Sequence, residues 1–168
     1  MTAEEKAVER LVSAVPFLEG KLTVTAEKRI FCSSLDRNQF NRLVKFLKED
    51  GDFFRAHHVV GIDEKENLTF MYIFSNADYV MLAVKESVRR SNPEIDSAAV
   101  LFPAFLIHEL ELVDLFGAVI DGLPDMPHYP LPDGWPKGNY PMRKDWNPAY
   151  FDKETMTYNP PETDRGEG

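Results

Sequence analysis

Apolar positions recur at helical spacing from the start of the chain. Ala7, Val8, Leu11 and Val12 share one side of residues 3–15, with Glu and Lys on the other, which predicts an amphipathic helix closed off near Gly20. "KLTVTAEKRIFCSSL" then alternates in the manner of two strands. A second helix is predicted where Asp36 can cap and Gln39 reach back, with Phe40, Leu43, Val44 and Leu47 on its apolar face and Gly51 as its stop. "FFRAHHVVGI" and "LTFMYIF" flank the polar "DEKEN", the pattern of an antiparallel hairpin. "YVMLAVKESV" adds a strand with Val80, Leu82 and Val84 on one face and Met81 and Ala83 on the other. The expected fold class is α+β: helices packed on an antiparallel or mixed sheet.

Beyond residue 100 the pattern changes. Ten of the 12 prolines lie there, and proline fixes φ and removes a backbone donor, so regular helix or interior strand is excluded over most of that stretch. The same stretch is rich in Phe, Trp, Tyr, Met and Leu, unlike a solvated linker. The organisation expected is an α+β domain over 1–120 and an extended, proline-rich docking arm over 121–168, frayed from "PPETDRGEG" onward. A chain of this kind covers itself or a partner.

Between the two lies "HELELVDLFGAVIDGLPD". With Pro103 in a first turn and Gly117 as a stop, Phe102 to Phe116 is predicted to be helical. At 100° per residue, Phe102, Phe105, Leu106, Leu110, Leu112, Val113 and Phe116 form one broad apolar face. Glu109 falls within it, while Glu111 and Asp114 sit opposite, three residues apart and flanked by Ile107 and Leu115. An ionised carboxylate on an apolar face must be hydrogen-bonded, paired or protonated. Glu109 is therefore either a structural acceptor or a general acid with a raised pKa.

Composition and charge narrow the function. At 43% hydrophobic and 12% aromatic, 168 residues can bury a core. A net charge of -9 disfavours nucleic-acid binding. The longest uncharged run, "AAVLFPAFLI", is too short to span a bilayer, and no signal-peptide pattern opens the chain. A lone Cys32 can form no internal disulfide and hold no iron–sulfur cluster, which fits a reducing, cytoplasmic setting. His108-Glu109 begins like H-E-x-x-H, but position 112 is leucine; His57 and His58, adjacent on a strand, point to opposite faces. No glycine-rich phosphate loop or nucleophile setting is found. A stand-alone metal-dependent enzyme using Glu109, Glu111 and Asp114, or an adaptor unrelated to redox complexes, remain the alternatives at this level.

"FPAFLIHELELVDLFGAVIDGLPD" followed by "PMRKDW" resembles the 30-kDa (C-type) subunit family of respiratory NADH:quinone oxidoreductase, also found in energy-converting, membrane-bound [NiFe] hydrogenases. The matching positions are Phe102-Pro103-Ala104, Glu109, Glu111, Asp114, Phe116, Gly117, Gly122, Pro124-Asp125 and Pro141-Met142-Arg143-Lys144-Asp145. Leu110 stands where the family has arginine, and Met126-Pro127-His128 where it has Arg-Arg. "LPDGWPKGNYPMRKDW" looks more like the hydrogenase branch.

The resemblance implies a non-catalytic subunit, without a catalytic, cofactor or metal site of its own. It would dock on a large subunit, 49-kDa-like or [NiFe] hydrogenase-like, and beside iron–sulfur subunits, on the cytoplasmic side and without a membrane span. Iron–sulfur clusters, and nickel–iron or quinone, would belong to those partners. Tyr129, Trp135, Tyr140, Trp146 and Tyr150 are the expected docking anchors. Arg143, Lys144 and Asp145 are expected to set register by charge pairs, within the chain to Glu109 or Asp114.

Overall fold

The computed structural model describes residues 1–50 and 52–161. Helix α1 (Ala3–Ala14) starts from a Thr2 cap that accepts from the Glu5 amide, with the Glu5 carboxylate returning to the Thr2 amide. Strands β1 (Leu22–Ala26) and β2 (Arg29–Leu35) follow as an antiparallel pair. Helix α2 (Arg37–Asp50) is capped by Asp36, whose carboxylate accepts from the Gln39 amide at 2.9 Å. Its expected stop, Gly51, lies outside the described residues. Strands β3 (Arg55–Asp63) and β4 (Asn67–Ser75) form the predicted hairpin, and β5 (Met81–Arg89) returns along β4.

These five strands make one mixed sheet in the order β1-β2-β5-β4-β3, in which only β2 and β5 run parallel. That parallel pair requires a long crossover, supplied by α2 and the β3–β4 hairpin. The chain is thus α+β, as the pattern implied. Short strand β6 (Glu94–Asp96) precedes a 3-10 turn at Pro103–Phe105 and helix α3 (Leu106–Phe116). The helix expected from Phe102 therefore has a 3-10 first turn, with Phe102 itself outside it at φ -125. Strand β7 (Val119–Asp121) pairs parallel with β6, so the expected boundary at residue 120 cuts through a strand. Farther on, β8 (Phe151–Asp152) and β9 (Thr157–Tyr158) form a small hairpin.

The core lies between one sheet face and the helices. Leu68, Phe70, Tyr72 and Phe74 alternate inward along β4 and are fully buried, as are Leu82 and Val84 on β5. Tyr72 meets Phe40 of α2 at 4.8 Å between ring centroids and Phe105 at 5.1 Å, and Phe74 meets both Phe102 and Phe105 at 5.2 Å. Each such burial stabilises by roughly 1.5–3 kcal/mol before the ordering cost is counted. Helix α3 packs beside β3, and Gly61 makes this approach close: a Cβ there would overlap the Phe116 ring.

The inward alternation of β5 continues to Glu86. This side chain is fully buried, and neither carboxylate oxygen has a hydrogen-bond partner in the protein. Burial, with Asp96 and Glu109 adding repulsion against the pull of Arg37, pushes its pKa up to about 8. At neutral pH the group is a neutral acid. The unfolded chain releases this proton near the ordinary carboxylate pKa, whereas the folded one holds it until pH 8. Between those values the folded state binds more protons, so Glu86 makes stability fall as pH rises, by up to about 1.4 kcal/mol per pH unit. Glu86→Gln should flatten that decline and raise stability at pH 8 relative to pH 5; chemical denaturation of both proteins across this range checks it.

Candidate functional site

Helix α3 places its three carboxylates in three different directions. Glu109, fully buried, accepts from Ser97 Oγ at 2.5 Å, Tyr72 Oη at 3.2 Å, the Ala98 amide at 2.8 Å and the Ala99 amide at 3.3 Å. Burial raises its pKa, against the lowering effect of those donors. Four convergent donors suit an acceptor, and they define Glu109 as the clamp between the β6–α3 turn and the sheet. Glu111 stands 3.5 Å from His108 Nδ1, whose Nε2 lies 3.4 Å from His58 Nδ1. His57 turns elsewhere, to Ser75 Oγ at 2.7 Å, across a bulge in β3.

Asp114 lies opposite the broad apolar face, on the side flanked by Ile107 and Leu115. It is buried there because the arm folds over it: His128 Nδ1 is 2.8 Å from Oδ1, and the Leu131 amide donates to Oδ2 at 3.2 Å. That hydrogen bond holds the His128 pKa above its ordinary value. The metal-enzyme alternative needed these carboxylates to converge, and they do not. Among the described residues no three His, Cys, Asp or Glu side chains are grouped to hold a metal ion.

The helix ends at Gly117 with φ +71, a left-handed cap; a Cβ there would also overlap the Tyr140 ring. Around this end the Pro141-Met142-Arg143-Lys144-Asp145 segment is anchored. The Met142 amide donates to Leu115 O at 3.1 Å, and Arg143 Nε donates to Phe116 O at 2.7 Å while its guanidinium lies 4.4 Å from the Tyr140 ring centre. These are the last-turn carbonyls that a helix leaves unsatisfied, here met by a cation at the negative end of the dipole.

The charge pairs expected to reach Glu109 or Asp114 run elsewhere. The Lys144 amide donates to Asp63 Oδ2 at 2.8 Å, the Lys65 amide donates to Asp63 Oδ1 at 2.8 Å, and Arg90 joins Asp63 (3.7 Å) to Asp145 (2.5 Å). Arg143 itself reaches a backbone carbonyl, Phe116 O, while Asp63 stands at the end of β3. Burial pushes the Asp63 carboxyl up, but the two backbone donors and Arg90 outweigh it and leave its pKa below the ordinary value. Sequence reasoning missed Asp63, Arg90, Gly61 and Glu86. For Asp63 and Glu86 the signal was present: each acid sits at an inward position of a strand's alternation.

The aromatic anchors largely pack on one another. Trp135 meets Phe151 at 4.6 Å and Trp146 at 5.9 Å, and Trp146 stacks on Tyr158 at 5.7 Å. Tyr150 lies 6.3 Å from Tyr158, Trp135 Nε1 donates to Asn139 O at 2.7 Å, and Tyr140 covers Gly117. Of the five, only Tyr129 is exposed; it sits in a strap, residues 121–130, whose one half-buried member is Leu123. Gly122, at φ +83, Pro124 and Asp125 belong to that strap. The arm thus holds a small core of its own. The frayed end falls, from residue 162, outside the described residues.

Asp63 joins the hairpin to the arm, so Asp63→Ala should cost about 3–5 kcal/mol by stranding two amides and Arg90. The loss should appear as earlier thermal unfolding together with faster proteolytic cutting between 137 and 147.

Comparison with known proteins places this geometry. A family model described as "Respiratory-chain NADH dehydrogenase, 30 Kd subunit" matches residues 33–152, from β2 through the arm. The membrane-bound hydrogenase subunit beta of Pyrococcus furiosus is 28% identical over 117 residues, covering 66% of this chain and 66% of that protein. Formate hydrogenlyase subunit 5 of Escherichia coli is 39% identical over 64 residues, 38% of this chain but 11% of that longer one. A chain in the structure of an archaeal respiratory complex, the membrane-bound sulfane sulfur reductase, shares the fold with a TM-score of 0.75 at 21% identity, over 86% of this chain and 85% of its own. The family model covers well over half of the sequence, including α3 and the arm's anchoring segment. This chain belongs to the respiratory-chain NADH dehydrogenase 30-kDa subunit family.

Proposed function

We propose that this chain is a non-catalytic docking subunit of a membrane-associated redox complex, of the NADH:quinone oxidoreductase or energy-converting hydrogenase kind. It binds a larger catalytic subunit on the cytoplasmic side, and iron–sulfur clusters, with nickel–iron or quinone, are held by its neighbours. The observation that carries this reading is what the family's polar residues touch. Glu109, Asp114, Arg143 and the Lys144 amide are all engaged within the chain: Glu109 clamps the β6–α3 turn, Asp114 and Arg143 hold the proline-rich segment against α3, and the Lys144 amide ties it to β3. Among the side chains left exposed around the site are the apolar Val119, Met126, Tyr129 and Met142, alongside the charged Asp121, Asp125, Lys144 and Asp145. Exposed apolar groups gathered beside rigid, already ordered backbone suit an interface, because little further entropy is lost on binding.

The long Escherichia coli relative supports the same reading. There a stretch similar to this chain forms a small part of a larger polypeptide. Two units joined in one chain meet at high effective concentration, an arrangement useful when they work in contact. No helix here is long and apolar enough to cross a membrane, so attachment would run through partners.

Affinity purification of the tagged chain from its native membrane fraction tests this. A large redox subunit should be recovered with it in stoichiometric amount; its absence would defeat the docking function.

A further inference from the structure

Strand β7 and the groove beside it carry more than a general docking face. The C-terminal end of α3 and the arm enclose a cavity of about 520 Å³, walled by Val113, Ala118, Val119, Leu131, Trp135 and Tyr140. Its wall is mostly apolar, and its volume accommodates one or two large side chains. Val119 leads directly from this cavity onto β7.

The hydrogen bonds of β7 fix which way its backbone faces. In a parallel pair, each residue turns its N–H and C=O to the same side. The Val119 amide donates to Pro93 O at 2.9 Å, and Asp121 O accepts from the Ser97 amide at 2.8 Å, so both residues face β6. The amide and carbonyl of Ile120 therefore point away from β6. The sheet has two strands and ends at β7 among the described residues, so no third strand meets them. A two-stranded parallel sheet with an open edge is incomplete by the usual rule that parallel strands are covered. The Val119 and Asp121 side chains stand exposed beside that edge.

Charge at the rim gives the visitor a sign. Beside Val119, Glu94, Asp96 and Asp121 gather on Arg37, three carboxylates to one guanidinium, while in the cavity Lys137 adds one positive charge and His128 pairs with Asp114. The balance left is negative, as for the chain at -9.

Resting on the docking function above, we propose that β7 receives an extended segment of the larger partner subunit. This segment adds as a third strand on Ile120, sinks a large apolar side chain into the cavity and sets Lys or Arg against the acidic rim. Strand addition supplies affinity through main-chain bonds and specificity through the side-chain pocket. A small-molecule ligand would use the cavity but leave the Ile120 edge unmet.

Hydrogen exchange on the chain alone and on the complex from native membranes tests this. The outward-facing Ile120 amide should exchange fast in the free chain and roughly 100-fold more slowly in the complex, while the Val119 amide, already bonded to Pro93 O, serves as the reference. Val119→Glu, at an exposed position that spares the core, should lower recovery of the partner by about tenfold or more, while Val24→Glu on distant β1 should not. A photo-crosslinking side chain at position 119 should capture a peptide of the large subunit. Unchanged exchange in the assembled complex, wild-type recovery with Val119→Glu, or crosslinking only to a second copy of this chain would overturn the proposal while leaving the docking function standing. Failure to recover any complex would overturn both.

Discussion

A buried carboxyl must either be met by donors or hold its proton, and this constraint organises the molecule. Glu109, Asp114 and Asp63 each accept backbone amides from segments distant in sequence: Ala98 and Ala99, Leu131, and Lys144. Each acid thereby ties a loop or arm segment to a helix or strand. A proline-rich arm cannot build its own ladders of hydrogen bonds, so its position depends on such acceptors. Glu109 and Asp114, on the apolar helix, act as fixing points for backbone.

Glu86 marks the contrast. It occupies the same sheet face, yet it has no donors, and it stays protonated where the others are held as acceptors. Its neighbours Asp96 and Glu109 have donors of their own: Arg37 and Asn41 engage Asp96, and the α3 turn engages Glu109. Burial raises the pKa of both Glu86 and Glu109, and only Glu109 has N–H and O–H donors that act against the rise.

The fold was legible where local periodicity and burial agree. Phe40, Leu43, Val44 and Leu47 announced α2, and the β3–β4 hairpin followed from alternation around a polar turn. Gly117 was read as a stop, and it proves to be a left-handed cap under Tyr140. Long-range pairings were not legible. That Arg143 meets Phe116 O, and that Asp63 serves Lys144, depends on how a segment more than 20 residues beyond α3 folds back. No spacing rule in the sequence carries such information. The aromatic residues were legible as sticky, but their partners were not. Trp135 and Trp146 pack with Phe151 and Tyr158 because the β8–β9 hairpin, unread in the sequence, brings those rings together.

Glu109, Asp114, Asp63 and Arg143 are thus turned to the chain's own backbone, and the proposal that redox chemistry lies in neighbouring subunits rests on that arrangement. Turnover per assembled complex, measured with Glu109→Gln, Glu111→Gln and Asp114→Asn variants, tests this most directly. The account predicts fewer complexes assembled, each turning over at the wild-type rate. Normal assembly with collapsed turnover would contradict it.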